Sequence, residues 1–206
     1  MKYKNIERAI SDLAAGKFIV VKDSEDREDE ADLVMVAEKV TPEAINFLTK
    51  QARGLICVSI KEERAKELGF HVMISPENNN YPQELHGCNF AISVDYIHGT
   101  STGISAFDRA KTILAICDKD SKPEDFARPG HMFPLVADTR GVLKRSGHTE
   151  AGVELAQRAG CFPAAVICEI LAEDGSMAKG QAVTDFANKN NFVVITTRDL
   201  IEYVQK

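Results

Sequence analysis

Apolar positions along the chain follow two periods, one typical of helices and one typical of short strands. The first helical stripe covers residues 5–15 and ends at Gly16. Similar patterns predict helices at residues 42–52, 61–68, 104–114, 150–159, 180–189 and 198–205. Short β-branched runs predict strands at residues 18–22, 32–37, 54–60, 90–94, 132–137, 164–171 and 192–196. Residues 75–88, which are rich in Pro and Asn, predict a loop.

The order of these elements indicates the fold class. Strands and helices alternate without the regular spacing of a simple doubly wound sheet, so we predict an α+β fold, a mixed-sheet α/β sandwich. The chain has 206 residues and is 44% hydrophobic. This length suits one domain over residues 1–206, with enough apolar side chains for a core.

Acidic residues are concentrated between the first two predicted strands. Residues 23–32 hold seven carboxylates and one arginine, Arg27. Strand alternation puts Glu28, Glu30 and Asp32 on one side if the second strand begins early. Carboxylates at a buried face need neutralisation, and Mg²⁺ binds a few carboxylates together with water and substrate oxygens. The alternative is a solvated acidic loop; an EF-hand does not fit the spacing.

The segment 145–150 joins a Gly-His-Thr turn to a predicted helix. Thr149 is expected to cap that helix, whose free N–H groups attract anions, and Arg145 adds a forked cation beside them. His148 could bind a metal or transfer a proton. The pattern predicts an anion site next to a catalytic group, with an ordinary capped surface helix as the alternative.

Four further positions could carry chemistry, each with a plainer alternative. His131 follows a Pro-Gly turn at a strand start, where a solvent-facing histidine is common. Glu169 interrupts an apolar strand, which indicates a buried salt bridge or an acid/base role. Cys57 lies within a strand, where buried thiols are usually inert. The hydroxyl-rich turn that contains Thr102 could bind a phosphate or simply cap a helix.

Composition excludes several classes of protein. The net charge is −6, and no Lys/Arg cluster predicts a nucleic-acid surface. No apolar run approaches the ~20 residues that span a bilayer, and the charged N-terminus does not fit a secretory signal. Five cysteines without a Cys-x-x-Cys pair predict reduced thiols in a cytoplasmic protein. Together, these features predict an enzyme that acts on a small phosphorylated compound, such as a sugar phosphate, through a metal-stabilised oxyanion.

Several motifs of this chain resemble those of a known family and follow one another in the same order. Residues 23–33, 54–58, 102–113, 128–135 and 145–151 together resemble the signature of the 3,4-dihydroxy-2-butanone 4-phosphate synthase family of riboflavin biosynthesis. The match spans nearly the whole chain. Two departures are visible: Ser146 stands where Ala is usual, and residues 86–90 vary a loop-to-strand segment. Since some relatives carry a fused GTP cyclohydrolase II domain, a chain that ends at Lys206 is expected to be the single-activity form.

The resemblance implies an activity and a set of roles. The reaction is cleavage of D-ribulose 5-phosphate to formate and L-3,4-dihydroxy-2-butanone 4-phosphate, with Mg²⁺ (Mn²⁺ as a substitute), in a homodimer with sites at the interface. Implied metal ligands are Glu28 and His148. Implied substrate contacts are Arg27, Glu28, Asp32, Thr102, Arg145, Ser146, Gly147, His148, Thr149 and Glu169. Implied catalytic residues are His131, Glu169 and Cys57, to which we add Glu30 or Asp32 as a hypothesis for proton transfer.

Two rival functions share part of this pattern. Another metal-dependent sugar-phosphate isomerase or aldolase would use the same groups and form a different product. A non-enzymatic anion-binding module would leave the acidic segment solvated. Formate release from ribulose 5-phosphate separates the first rival from the synthase, and loss of Mg²⁺ binding in His148→Ala argues against the second.

Overall fold

A single mixed sheet lies at the centre of the computed structural model, which describes residues 3–24, 27–74 and 86–206. Its strands are β1 (Ile19–Lys22), β2 (Ala31–Val36), β3 (Cys57–Ile60), β4 (Val94–Tyr96), β5 (Phe126–Val136), β6 (Ala164–Glu169) and β7 (Val194–Thr196). They are arranged in the order β4-β5-β3-β6-β2-β1-β7. The pairs β1–β7 and β3–β5 are parallel and the other four pairs are antiparallel, so the mixed sheet is confirmed.

Helices cover both faces of this sheet. They are α1 (Lys4–Ala14), α2 (Pro42–Phe47), α3 (Glu62–Glu67), α4 (Ala106–Cys117), α5 (His148–Arg158), α6 (Gln181–Asn190) and α7 (Thr197–Val204). One core joins the sheet to α1, α5 and α7, and Val34 points into it. The other core lies beneath α2, α4 and α6, and the neighbouring Leu33 points into that one. This alternation along β2 produces the predicted sandwich.

Most predicted helices and strands are present, with two corrections. The predicted strand 90–94 is wrong: Phe90 and Ala91 form only isolated bridges, to Leu135 and Val72, and the regular strand is β4. The predicted strand 132–137 begins earlier, at Phe126. The expected Pro-Gly turn therefore lies within β5, where the pairing with β4 shifts register. Of the predicted loop 75–88, residues 75–85 lie outside the described residues. Within the described ranges, every helix is too short or too polar to cross a bilayer.

Candidate active site

A cavity of about 330 Å³ opens at the end of the sheet where β2 begins and β6 ends. Its walls include most of the residues that the sequence analysis singled out. The predicted residues in its lining are Arg27, Glu28, Glu30, Asp32, Cys57, His148, Thr149 and Glu169. The lining is completed by His86, Cys88, Phe90, Leu135 and Ile167. The acidic segment and the start of α5 therefore meet in one place, as predicted.

Asp23 shapes the acidic loop between β1 and β2. Its Oδ1 accepts a hydrogen bond from the Glu30 N–H at 2.9 Å, and its Oδ2 accepts from the Glu28 N–H at 3.2 Å and from Arg27 Nη1 at 2.9 Å. Asp29 then turns the chain through a left-handed conformation, φ 53°, which Asp tolerates better than most residues. The loop thereby presents Glu28 and Glu30 above Asp32, although only Asp32 belongs to the strand. The acidic residues 25 and 26 lie outside the described residues.

His148 is the first residue of α5 and is almost completely buried. Its Nε2 lies 3.2 Å from the carbonyl oxygen of Val21. Because a carbonyl only accepts hydrogen bonds, Nε2 carries the proton in the neutral ring and Nδ1 is left as the lone-pair nitrogen. That Nδ1 lies 3.8 Å from Glu28 Oε2 and 3.7 Å from Asp32 Oδ1. A backbone partner on the other ring nitrogen is typical of histidines that bind metals.

The ionisation of these groups reflects burial opposed by charge. Burial disfavours the imidazolium, but the carboxylates of Asp32 and Glu28 outweigh it and raise the pKa of His148 to about 9. Burial also acts against the Glu28 carboxylate, yet His148 and Arg27 lower its pKa to about 2. For Asp32, burial dominates and raises the pKa. Without a metal, the site therefore keeps a proton on His148 to compensate for crowded carboxylates.

The donor set fits a hard divalent cation. One ligand atom each from Asp23, Glu28 and His148 lies within 4.8 Å of the others. Among the described residues, Asp32 Oδ1 is buried with no hydrogen-bond partner, which is costly unless a cation faces it. The oxygens of Asp23 already accept three donors, so Glu28, His148 and Asp32 are better placed to bind an ion. Carboxylate oxygens with one imidazole suit Mg²⁺ or Mn²⁺.

Glu169 and Cys57 form the floor of the cavity. Glu169 lies opposite Asp32 in the β2–β6 register, and its Oε2 accepts a hydrogen bond from the Leu55 N–H at 2.8 Å. Gly54 allows this approach, because a Cβ there would lie 2.6 Å from the same carboxylate oxygen. Burial, followed by the charges of Glu169 and Asp32, raises the pKa of the Cys57 thiol well above its usual value. Burial and these two charges therefore favour the neutral thiol over the thiolate.

The start of α5 has the features of an anion site. Gly147, not Thr149, is the N-cap, so the predicted Thr149 cap is wrong; Thr149 lies in the first turn, where its N–H has no partner within the helix. The guanidinium groups of Arg27 and Arg145 pack against Gly147, and a Cβ there would lie 2.4 Å from Arg145 Nη1. In the described part of the chain, Arg27 Nη2 is buried without a hydrogen-bond partner. Positive charge and unused donors thus converge beside the acidic cluster, with Ser146 half-buried in the same turn.

Arg145 itself does not line the cavity. Its guanidinium bonds to Glu150 Oε2 at 2.5 Å, to the His86 carbonyl oxygen and to Cys88 Sγ. His86 and Cys88 do line the cavity, so Arg145 braces its wall. Neither residue could be assigned a role from the sequence, because one histidine and one cysteine in an irregular segment give no periodic signal.

His131 and Thr102 lie apart from the cavity, in what we term the edge cluster: Asp95, Thr102, Gly103 and His131. Both oxygens of Asp95 hold His131, with 2.7 Å from Oδ2 to the ring Nδ1 and 2.8 Å from Oδ1 to the backbone N–H. Gly103 packs so closely that a Cβ there would lie 2.0 Å from Asp95 Oδ2. Neither His131 nor Thr102 lines the cavity. Asp95 was not predicted from the sequence, because it lies just past the end of the predicted strand 90–94.

Comparison with known proteins agrees with this geometry. The sequence model of the 3,4-dihydroxy-2-butanone 4-phosphate synthase family matches residues 7–203. The chain is 53% identical to the riboflavin biosynthesis protein RibBA of Aquifex aeolicus, over 98% of the chain but only 49% of that protein. It is 52% identical to a 3,4-dihydroxy-2-butanone 4-phosphate synthase of Oceanobacillus iheyensis, over 98% of the chain and 94% of that protein. The chain thus spans about half the length of RibBA and nearly all of the shorter relative.

Solved structures show the same similarity. A two-domain 3,4-dihydroxy-2-butanone 4-phosphate synthase from A. baumannii superposes with a TM-score of 0.89 at 43% identity, covering 96% of this chain and 57% of that one. A 3,4-dihydroxy-2-butanone 4-phosphate synthase in complex with two magnesium ions gives a TM-score of 0.90 at 39% identity, covering 97% and 96%. The chain belongs to the 3,4-dihydroxy-2-butanone 4-phosphate synthase family.

Proposed function

We propose that this chain is a lyase of riboflavin biosynthesis that converts D-ribulose 5-phosphate to L-3,4-dihydroxy-2-butanone 4-phosphate and formate. The observation that carries the proposal is the placement of His148, whose Nδ1 faces Glu28 and Asp32 while its own helix begins between two guanidinium groups. One short turn therefore joins a metal site to an anion site, as a phosphorylated sugar requires. We further propose that residues 1–206 form a single catalytic domain, in the cytoplasm, where free thiols persist.

Glu28 and His148 are the proposed ligands of Mg²⁺, or of Mn²⁺ in its place, with Asp32 facing the same ion. A relative solved in complex with two magnesium ions supports this choice. When bound, the cation stabilises negative charge on the hydroxyl and carbonyl oxygens of the substrate. Because an imidazolium cannot bind a cation, His148 must lose its Nδ1 proton on loading, and metal binding is expected to release protons.

The phosphate of the substrate is proposed to bind at the start of α5. Arg27 Nη2 has an unused hydrogen-bonding capacity there, and the N–H groups of the first helical turn, including that of Thr149, point out of the helix. The Ser146–Gly147 turn lets the anion approach the backbone, and Arg145 adds positive charge behind it. This arrangement fixes the phosphate end of the substrate, while the reacting carbons of the substrate lie over the carboxylates.

Several groups can move protons at the reacting carbons. Burial, with Glu28 and Glu169 nearby, raises the pKa of Glu30, so this carboxyl takes up a proton more readily than an exposed one. Burial and neighbouring carboxylates also raise the pKa of Asp32. Glu169 is paired with Asp32 on the adjacent strand. With His131, these groups supply the acids and bases for removal of the C3 proton and loss of the C1 hydroxyl as water. C5 then shifts from C4 to C3, water adds to C4, and cleavage of the C3–C4 bond releases C4 as formate and returns a proton to C3. Cys57 contributes a neutral thiol to the floor.

We also propose that the chain works as a homodimer in which one protomer brings its edge cluster to the cavity of the other. His131 and Thr102 are implied functional residues, yet neither lines the cavity of its own chain. Close to Thr102 in sequence, large apolar side chains are exposed: Ile97, Ile104, Phe107 and Leu114. Phe107 is 70% exposed, which is unusual for a side chain that buries so much apolar area when covered. A second copy would cover these residues and complete the site.

The direct test is formate release from ribulose 5-phosphate, with and without EDTA. We expect turnover that EDTA abolishes and Mg²⁺ restores. Glu28→Gln should lower turnover about a thousandfold or more, because it removes a charged ligand from the ion that stabilises the transition state. The matched control is Asp29→Asn in the same loop, whose side chain pairs with Lys179 outside the cavity and should leave turnover unchanged. Formate release that EDTA does not reduce, or that Glu28→Gln retains at a near-normal rate, would overturn the proposal.

A further inference from the structure

Glu150 is a buried carboxylate that does not itself line the cavity. It lies in the first turn of α5, two residues after His148, and is 2% exposed. A buried carboxylate is costly unless both of its oxygens are used. Oε1 accepts a hydrogen bond from the Asp138 N–H at 2.9 Å, and Oε2 pairs with Arg145 Nη1 at 2.5 Å. The side chain therefore faces Arg145 and the segment that follows β5, away from the acidic cluster.

Arg145 has other contacts besides Glu150. Beyond Glu150, its Nε and Nη2 donate to the His86 carbonyl oxygen at 3.3 and 3.1 Å, and Nη2 reaches Cys88 Sγ at 2.8 Å. Gly147 packs against the same guanidinium. Of these contacts, only Glu150 supplies a full negative charge at bonding distance. It is therefore the contact that decides where the cation of Arg145 rests.

We propose that Glu150 is a positioning residue for substrate binding, which holds Arg145 beside the first turn of α5 and thereby holds residues 86–88 in the cavity wall. This inference rests on the proposed function, in which that turn binds the substrate phosphate. The carboxylate lies at the third helical position, where the helix dipole also favours it. Glu150 thus bonds to Asp138, which follows β5, and to Arg145, through which it is linked to the sequence-distant wall residues 86–88.

Glu150→Gln tests this role with minimal change of shape. The amide oxygen can still accept from the Asp138 N–H, whereas its NH₂ group faces Arg145 as a second donor. We expect KM for ribulose 5-phosphate to rise about tenfold or more, with a smaller change in kcat, because a buried pair to Arg145 is lost. Glu154→Gln is the matched control: it lies one turn further along α5 and pairs with Arg158 outside the cavity, so KM should not change.

A double-mutant cycle separates positioning from a general structural role. If Glu150 acts through Arg145, then Glu150→Gln should raise KM in the native background and have little further effect in Arg145→Ala. Equal effects in both backgrounds, or an unchanged KM accompanied only by a lower melting temperature, would overturn the proposal. Glu150→Asp keeps the charge but draws it back, and an intermediate KM is expected; this variant serves if Glu150→Gln does not fold.

A second measurement keeps this test independent of the proposed reaction. Inorganic phosphate should raise the melting temperature of the wild-type protein through the same turn, and higher phosphate concentrations should be needed for an equal rise in Glu150→Gln. If the wild type releases no formate but this difference appears, the proposed reaction fails while the role of Glu150 stands. If formate is released and neither KM nor the phosphate response differs between the two proteins, Glu150 has no positioning role.

Discussion

Two histidines in this chain directly follow a glycine, and they differ in which ring nitrogen a hydrogen bond holds. His148 is buried and donates from Nε2 to the Val21 carbonyl oxygen, which leaves Nδ1 facing Glu28 and Asp32. The His131 side chain is 42% exposed and donates from Nδ1 to the Asp95 carboxylate, which leaves Nε2 outward. A carbonyl partner with neighbouring carboxylates suits a metal ligand, whereas a carboxylate partner with an exposed Nε2 suits proton transfer. The fixed partner of each ring, not the Gly-His pair, sets the chemistry.

The two histidines also differ in their place in the sheet. His148 lies over interior strands whose registers bring Asp32 and Glu169 together within one chain. His131 belongs to β5, next to the edge strand β4, and its side chain is partly exposed. The groups around His148 converge within one chain, whereas His131 does not line the cavity of its own chain. This difference is why we divide the proposed site between two protomers.

The largest expected effects come from removing each imidazole. His148→Ala should lose both formate release and saturable Mg²⁺ binding, measured by calorimetry. His131→Ala should lose about 10²- to 10⁴-fold in kcat, the usual share of a general acid or base, yet still bind Mg²⁺ with wild-type affinity. If Mg²⁺ binding weakens equally in both variants, the division into a metal ligand and a proton-transfer group is wrong.

Mixing these two inactive variants sharpens the same comparison. If each site takes His148 from one protomer and His131 from its partner, a mixed dimer contains one intact site and one doubly damaged site. After unfolding and refolding of an equimolar mixture, random pairing should restore about a quarter of the wild-type activity. Each variant refolded alone is the control. A dimeric mixture that stays inactive would place both histidines of a working site in the same chain, and a monomeric protein would contradict the dimer itself.

The sequence carries more information about the first region than about the second. Glu28, Asp32 and His148 were predictable because strand alternation and a helix start give each a direction. Asp95 was not, because a bulge between β4 and β5 changes the register there and no period crosses it. The predicted strand 90–94 failed for a related reason: the Ala91 and Ile92 N–H groups bond to carbonyl oxygens of two different segments. Periodicity describes regular pairing, and these contacts are irregular.

A smaller effect is expected from Asp95, which orients His131 without being proposed to contact substrate. Asp95→Asn should lower kcat about 10- to 100-fold, since part of the acid/base contribution depends on ring orientation and tautomer. Mg²⁺ binding should not change. Asp125→Asn is the matched control, because Asp125 holds His98 with the same 2.7 Å contact outside both regions. An equal loss of kcat in the two variants would mean that the effect is not specific to the Asp95–His131 pair.

The smallest effect concerns stability of the metal-free protein as a function of pH. The folded-state pKa of His148 is raised to about 9, above its usual value of 6.5, through Asp32 and Glu28 acting against burial. Its contribution is therefore fully present below pH 6.5 and is lost as pH rises through 9, because the folded state then gives up a proton that it bound more tightly than the unfolded chain. In EDTA, the urea midpoint should fall between pH 7 and pH 10 more steeply for the wild type than for His148→Asn. Parallel profiles would show that the charge of His148 does not stabilise the folded protein through the carboxylates around it. The proposed electrostatic difference between His148 and the exposed His131 would then be wrong.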